Sequence, residues 1–99
     1  MFSHIVVFWT HPDKPEAADL LLQGANALLP DIPGVVSFHA GKMVPSERPV
    51  VEQSYQVALN IVLQDAEAEK AYQQHPRHKE FVEKYFKPLC TKLQVFDFA

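Results

Sequence analysis

Apolar residues alternate with polar ones in some stretches of this chain and recur every three or four positions in others. These two periods divide the chain into strands and helices. Residues 4–10 (HIVVFWT) are β-branched and aromatic and read as a first strand. One face of it carries His4, Val6 and Phe8, the other Ile5, Val7 and Trp9. Both faces are largely apolar, so both should be covered. His11-Pro12 ends the strand. Ala18, Leu21, Leu22, Ala25, Leu28 and Leu29 then share one helical stripe. Asp13 and Glu16 precede it at capping-box spacing, and Pro30 with Pro33-Gly34 terminates it. Residues 35–43 make a second strand, with Val36, Phe38 and Ala40 on one side and Ser37, His39 and Gly41 on the other.

Residues 44–54 lose all periodicity and contain Pro45 and Pro49. A loop of about eleven residues is long for a compact domain and is usually functional or mobile. Residues 55–63 are the clearest strand, with Tyr55, Val57, Leu59, Ile61 and Leu63 alternating against Gln56, Ala58, Asn60 and Val62. Asp65 is placed to cap a helix through Ala66, Glu69 and Tyr72, which His75-Pro76 interrupts. A further helical piece starts at about His78, with Phe81, Val82, Tyr85, Phe86 and Leu89 on one stripe and Pro88 in its last turn. Residues 93–98 close the chain as a strand, Leu93, Val95 and Asp97 opposite Gln94, Phe96 and Phe98.

The order is β-α-β-β-α-β with the second helix broken. It predicts an α+β, ferredoxin-like fold: an antiparallel sheet with both helices on one face. In that topology His4 and Asp97 lie on adjacent strands, expected to be central ones. The helices can cover one side only, and the other still carries a tryptophan and several further apolar residues. Pairing of two sheets in a homodimer is the simplest cover.

Composition narrows the functions. The length suits one domain over residues 1–99, and 47% apolar with 21% charged residues is an ordinary globular balance. A net charge of −3 supplies no basic field, so nucleic acid is not an expected partner. Cys90 is the only cysteine, which excludes an intrachain disulfide and fits a reducing compartment, with the cytoplasm as the default. The opening MFSHIVVFWT has no basic region and reads as a strand rather than a signal peptide. No stretch approaches the roughly 20 apolar residues of a membrane span.

The candidate chemistry is concentrated in AYQQHPRHKEF, residues 71–81, where Tyr72, His75, Arg77 and His78 surround Pro76. Two imidazoles beside a phenol are suited to proton transfer near neutral pH. The same residues also suit a plain helix corner, with His75 and His78 making hydrogen bonds at a helix end. A metal site is not expected: His75 and His78 are three apart, but Pro76 breaks the register that would aim both at one ion. No cysteine or HExxH pattern accompanies them. Cys90 has no nucleophile signature and reads as an inert buried thiol.

Taken together, HIVVF at the start, IPGV after the first helix, YQQHPRHKEF at the corner and VFDF at the end resemble the stress-responsive dimeric α/β-barrel (Dabb) proteins, from His4 to Phe98. The resemblance implies a homodimer whose two sheets face each other as a barrel, with helices outside. A plant polyketide cyclase of that family closes a ring by aldol chemistry, without metal or organic cofactor, in a pocket between sheet and helices. Its catalytic tyrosine and histidine match Tyr72 and His78, its first-strand histidine matches His4 and its last-strand aspartate matches Asp97. The chain departs from it at Val57, where the cyclase has another histidine, and at Ala25, where it has a tyrosine.

The resemblance therefore implies His78 as a base taking a proton beside a carbonyl and Tyr72 as donor to the developing enolate oxygen. His4 and Asp97 are expected either as supporting polar groups, the carboxylate orienting the imidazole, or as a buried polar pair that serves only to satisfy each other. His75 is expected to be structural, held ahead of Pro76. The functions in view are a cofactor-free cyclase or lyase on an apolar carbonyl compound, and a non-catalytic dimer serving stress tolerance or small hydrophobic ligands. A monooxygenase or heme-handling barrel is a third. An open pocket of a few hundred cubic ångströms behind Tyr72 and His78 favours the first.

Overall fold

Phe2–Thr10 forms β1, the strand on which the sheet is built, in a computed structural model that describes all residues from 1 to 99. The chain continues through α1 (Ala17–Leu28), β2 (Val35–Lys42), β3 (Val57–Leu63), α2 (Ala66–Gln74) and α3 (Pro76–Phe81). A π-helical segment (Val82–Phe86) and one last turn, α4 (Lys87–Leu89), lead into β4 (Cys90–Phe98). The sheet has the order β2-β3-β1-β4 with β1 antiparallel to both neighbours and β2 antiparallel to β3. This is the expected ferredoxin-like arrangement. β4 is an edge strand, however, and not a central one, because only β1 pairs with it.

The helix-facing side of the sheet carries Val6 and Phe8 of β1 with Val57, Leu59, Ile61 and Leu63 of β3, all buried. Against them α1 presents Ala17, Leu21 and Ala25, with Leu29 just beyond its end. Tyr72 of α2 and Phe81 of α3 complete the layer. Fully burying one such leucine or isoleucine contributes about 1.5–3 kcal/mol, so the alternation in β3 alone anchors the strand firmly.

Several boundaries move from where periodicity placed them. β1 begins at Phe2 and β4 at Cys90, earlier than expected, since antiparallel partners extend both: Ser3 pairs with Phe98 and Thr10 with Cys90. β3 begins at Val57 rather than at residue 55, although Gln56 still bonds Met43 and Phe8 through the backbone. Val36 does not share a face with Phe38. A register shift between Val35 and Ser37 makes it an extra residue, and it is left 51% exposed. The Asp13/Glu16 capping box is not formed: Glu16 occupies the N-cap position without a side-chain bond, after a turn at His11–Lys14 that delays the helix.

The second helical region starts at Pro76, earlier than His78, and His75 caps it: its Nδ1 accepts from the Arg77 N–H at 3.1 Å. Proline fits the first helical position because its missing N–H would have no partner there. Asp65 caps α2 as expected, accepting from the Ala68 N–H at 2.8 Å. In the π-helical segment the Lys87 N–H bonds the Val82 carbonyl, five residues back. Pro88 follows directly. It cannot bond the Lys84 carbonyl, four residues before it, and its ring crowds that carbonyl, which accounts for a widened turn here.

On the face away from the helices, Ile5 lies opposite Phe96 and Ser3 opposite Phe98, while Lys92 lies over the Trp9 ring at 4.3 Å. Phe96 and Phe98 are 52% and 60% exposed, so this face has no cover within one chain.

Candidate functional site

Between the sheet and the broken helix lies a cavity of about 260 Å³. Ten of its 13 lining residues are hydrophobic, among them Phe8, Phe81, Val82, Phe86 and the ring of Tyr72, and the other three are His4, Gln73 and His78. The π turn matters here, since Val82 and Phe86, its first and last residues, both line the cavity.

The corner at His75-Pro76 turns the two helices so that residues six apart in sequence meet in space. The rings of Tyr72 and His78 approach edge to face, with centroids 4.9 Å apart. His4 of β1 meets Tyr72 on another side, at 5.8 Å. His4 is buried and its Nδ1 lies 2.6 Å from Asp97 Oδ1, a cross-strand pair fixed by the direct register of β1 with β4. Asp97 has a side chain 40% exposed, as its place on an edge strand dictates.

Burial raises the Tyr72 hydroxyl well above the ordinary phenol value, with the Glu69 carboxylate adding to it, so it stays a proton donor throughout the neutral range. Burial first, and then the charge on nearby His4, lowers His78 from the ordinary imidazole value, while Glu69 acts weakly against them. His78 is thus a neutral imidazole near pH 7, the form that accepts a proton. Burial also pushes the Cys90 thiol up to about 11, which keeps it protonated and unreactive.

The structure brings Tyr72, His78 and His4 to one cavity, with Asp97 behind His4. His75 is not among the lining residues; its ring is used in the helix cap. Ala25 is buried in the core outside the lining, and Val57 is likewise packed. Sequence reasoning missed Glu69 and Gln73. Glu69 accepts from Gln73 Nε2 at 2.8 Å and sits with His4 and Asp97 in a group whose ligating atoms all lie within 4.8 Å of one another. Glu69 stands three residues before Tyr72 and four before Gln73 on the helix, and that spacing was the available signal. A second, more polar hollow at the other end of β1, lined by Trp9, Lys14 and Gln56 among others, holds no comparable cluster.

An antiparallel four-stranded sheet under two helices, with an apolar cavity holding histidines and a tyrosine between them, defines a ferredoxin-like protein with a small-molecule-sized interior site. The chain belongs to the stress responsive A/B barrel domain family (Dabb), whose profile matches residues 2–99. Among solved structures it is similar to a Dabb family protein with a ferredoxin-like fold from Mesorhizobium loti, at 25% identity and TM-score 0.80, over 99% of this chain and 94% of that one. A dimeric ferredoxin-like protein from Thermobifida fusca matches at 20% identity and TM-score 0.81, over 99% and 89%. A hydroxynitrile lyase from Passiflora edulis matches at 19% identity and TM-score 0.75, over 98% and 90%. No curated protein matches the chain.

Proposed function

We propose that this protein is a homodimeric, cofactor-independent lyase or cyclase acting on a small apolar carbonyl compound by proton transfer. The observation that carries the reading is the contact of Tyr72 with His78 on the wall of an otherwise apolar cavity. At about 260 Å³ the cavity lies just below the ~300–1,000 Å³ of drug-sized sites, so the substrate is small.

In this reading neutral His78 takes the proton from the carbon beside a carbonyl, giving an imidazolium and an enolate. The Tyr72 hydroxyl holds the enolate oxygen by a hydrogen bond. The enolate carbon closes on a second carbonyl, and the imidazolium returns its proton to the alkoxide so formed. In a lyase reaction His78 takes a hydroxyl proton, the oxygen becomes a carbonyl as the adjacent carbon–carbon bond breaks, and the imidazolium returns that proton to the fragment that leaves with the bonding electrons. The His4–Asp97 pair holds the opposite wall polar and fixed. Similarity to a hydroxynitrile lyase supports the lyase arm. The uncovered sheet face and the dimeric relative support the homodimer, and a lone buried thiol supports a reducing compartment such as the cytoplasm.

A second reading is a non-catalytic dimer that binds a hydrophobic ligand and supports stress tolerance, favoured by the scarcity of polar lining groups. The test is a screen of aromatic and aliphatic hydroxynitriles and of polyketide-like acyl thioesters, scored for binding and turnover in the presence of a chelator. Turnover supports the enzyme. Binding at Tyr72 and His78 without turnover by any compound gives the ligand-binding module, and failure of every compound to bind rejects the cavity as the site.

A further inference from the structure

We infer that His4, Glu69 and Asp97 form a binding site for one divalent transition-metal ion at the polar edge of the cavity. The inference goes beyond the proposed activity, which requires no ion, and rests on three separate elements converging. β1 supplies a buried imidazole, β4 a carboxylate directly opposite it in the ladder, and α2 a second carboxylate from above. One ligating atom from each lies within 4.8 Å of the other two.

Charge favours a cation at this place. The carboxylates of Glu69 and Asp97 face a single imidazole, which offsets at most one of them. The salt bridges of the fold give Asp97 only His4 as partner and give Glu69 none. No lysine or arginine lines the cavity. The donor set also chooses the class of ion. One imidazole nitrogen with two carboxylate oxygens suits Zn²⁺, Fe²⁺ or Mn²⁺ better than the all-oxygen shell of Ca²⁺ or Mg²⁺. Three protein ligands leave a position open to water or a small molecule, and His4 itself lines the cavity.

The geometry needs only a small adjustment. Ligands of a tetrahedral ion at about 2.1 Å stand about 3.4 Å apart. His4 and Asp97 at 2.6 Å must therefore separate slightly as the ion replaces the Nδ1 proton, which moves to Nε2. Glu69 must close the remaining distance, and its side chain on a helix surface has the freedom to do so. Gln73 already steers its carboxylate from one turn further on.

Calorimetric titration of the metal-stripped protein with Zn²⁺ alone is the test, with Co²⁺ absorption as a second readout. The site predicts one ion per protomer at micromolar dissociation constant or tighter, weakened at least tenfold by Glu69→Gln and by Asp97→Asn. Both changes are near-isosteric and sit outside the buried core, and circular dichroism verifies that the fold is kept. In Glu69→Gln the visible bands of bound Co²⁺ should fade in parallel. Absence of saturable binding below millimolar Zn²⁺ overturns the site. So does unchanged affinity in the two folded variants, which would assign the ion to another histidine such as His39 on the sheet.

Discussion

Tyr72 and His78 stand edge to face, their ring centroids 4.9 Å apart and their planes at 63°, although a proline and a break between two helices separate them in the chain. The break at His75-Pro76 produces this contact. An uninterrupted helix would carry positions six apart to directions about 120° away from superposition, whereas the corner lets both rings turn toward the sheet. The pairing gives the proposed chemistry a base and a donor on one wall.

On a substrate found by the screen, His78→Ala should lower kcat/KM by about 10² to 10⁴, the usual worth of a general base, in a dimer that remains folded. Tyr72→Phe keeps the buried ring and removes only the hydroxyl, so its loss of rate measures the hydrogen bond. Full activity in folded His78→Ala would end the catalytic assignment and leave the corner as scaffold.

The pH dependence has a definite sign. His78 is held below the ordinary 6.5 in the folded protein, so below that pH the unfolded chain binds a proton that the folded chain resists. The contribution of this group to stability is therefore intact above about pH 6.5 and declines as the pH falls below it. Thermal melts from pH 7.5 to 5 should show that decline, and His78→Gln should flatten it. In kinetics the acid limb of kcat/KM should lie below pH 6.5. No alkaline limb from Tyr72 should appear up to pH 10, because its hydroxyl titrates above the phenol value.

Phe96 and Phe98 on the uncovered sheet face predict that the protein is a homodimer at micromolar concentration. At about 25 cal/mol per Å², leaving that face in water would cost several kcal/mol, a large fraction of a small domain's stability. Light scattering coupled to size exclusion should give twice the monomer mass of 11.2 kDa. A stable monomer at that concentration sinks the barrel arrangement.

Residues 44–54 should be the most mobile internal segment. They form no regular element, and their bonds, such as Gln53 to Ser46 and the exposed Ser54 to Glu52, are mostly local. Amide exchange there should be much faster than in β3. Protection equal to that of Val57–Leu63 contradicts the prediction.

Gly24 in the middle of α1 is held by contact rather than by backbone conformation. A Cβ there would stand 2.5 Å from the ring carbons of Tyr85. Gly24→Ala gains about 1 kcal/mol of helix propensity, but forcing the ring away costs about 1–3 kcal/mol. The net effect should be destabilising, a melting temperature lower by several degrees. A rise would show that Tyr85 moves freely.

The sequence by itself determined the layers. The two-residue period of Val57, Leu59, Ile61 and Leu63 and the helical stripe through Leu21, Ala25 and Leu29 state which side of each element is buried, because burial is what those periods encode. It also marked the corner, since proline at position 76 forbids the continuation of α2. Tertiary structure decided the rest. Val36 lies outside its expected face because a bulge depends on pairing with β3, which local pattern does not express. Asp97 is half exposed because strand order, and not strand composition, sets which strand is at an edge. Of the two corner histidines, His75 caps a helix and His78 reaches the cavity, a division made by the direction of the turn. Glu69 joins His4 and Asp97 only in three dimensions: the three are 65 and 28 residues apart along the chain, and no periodicity links positions that far separated.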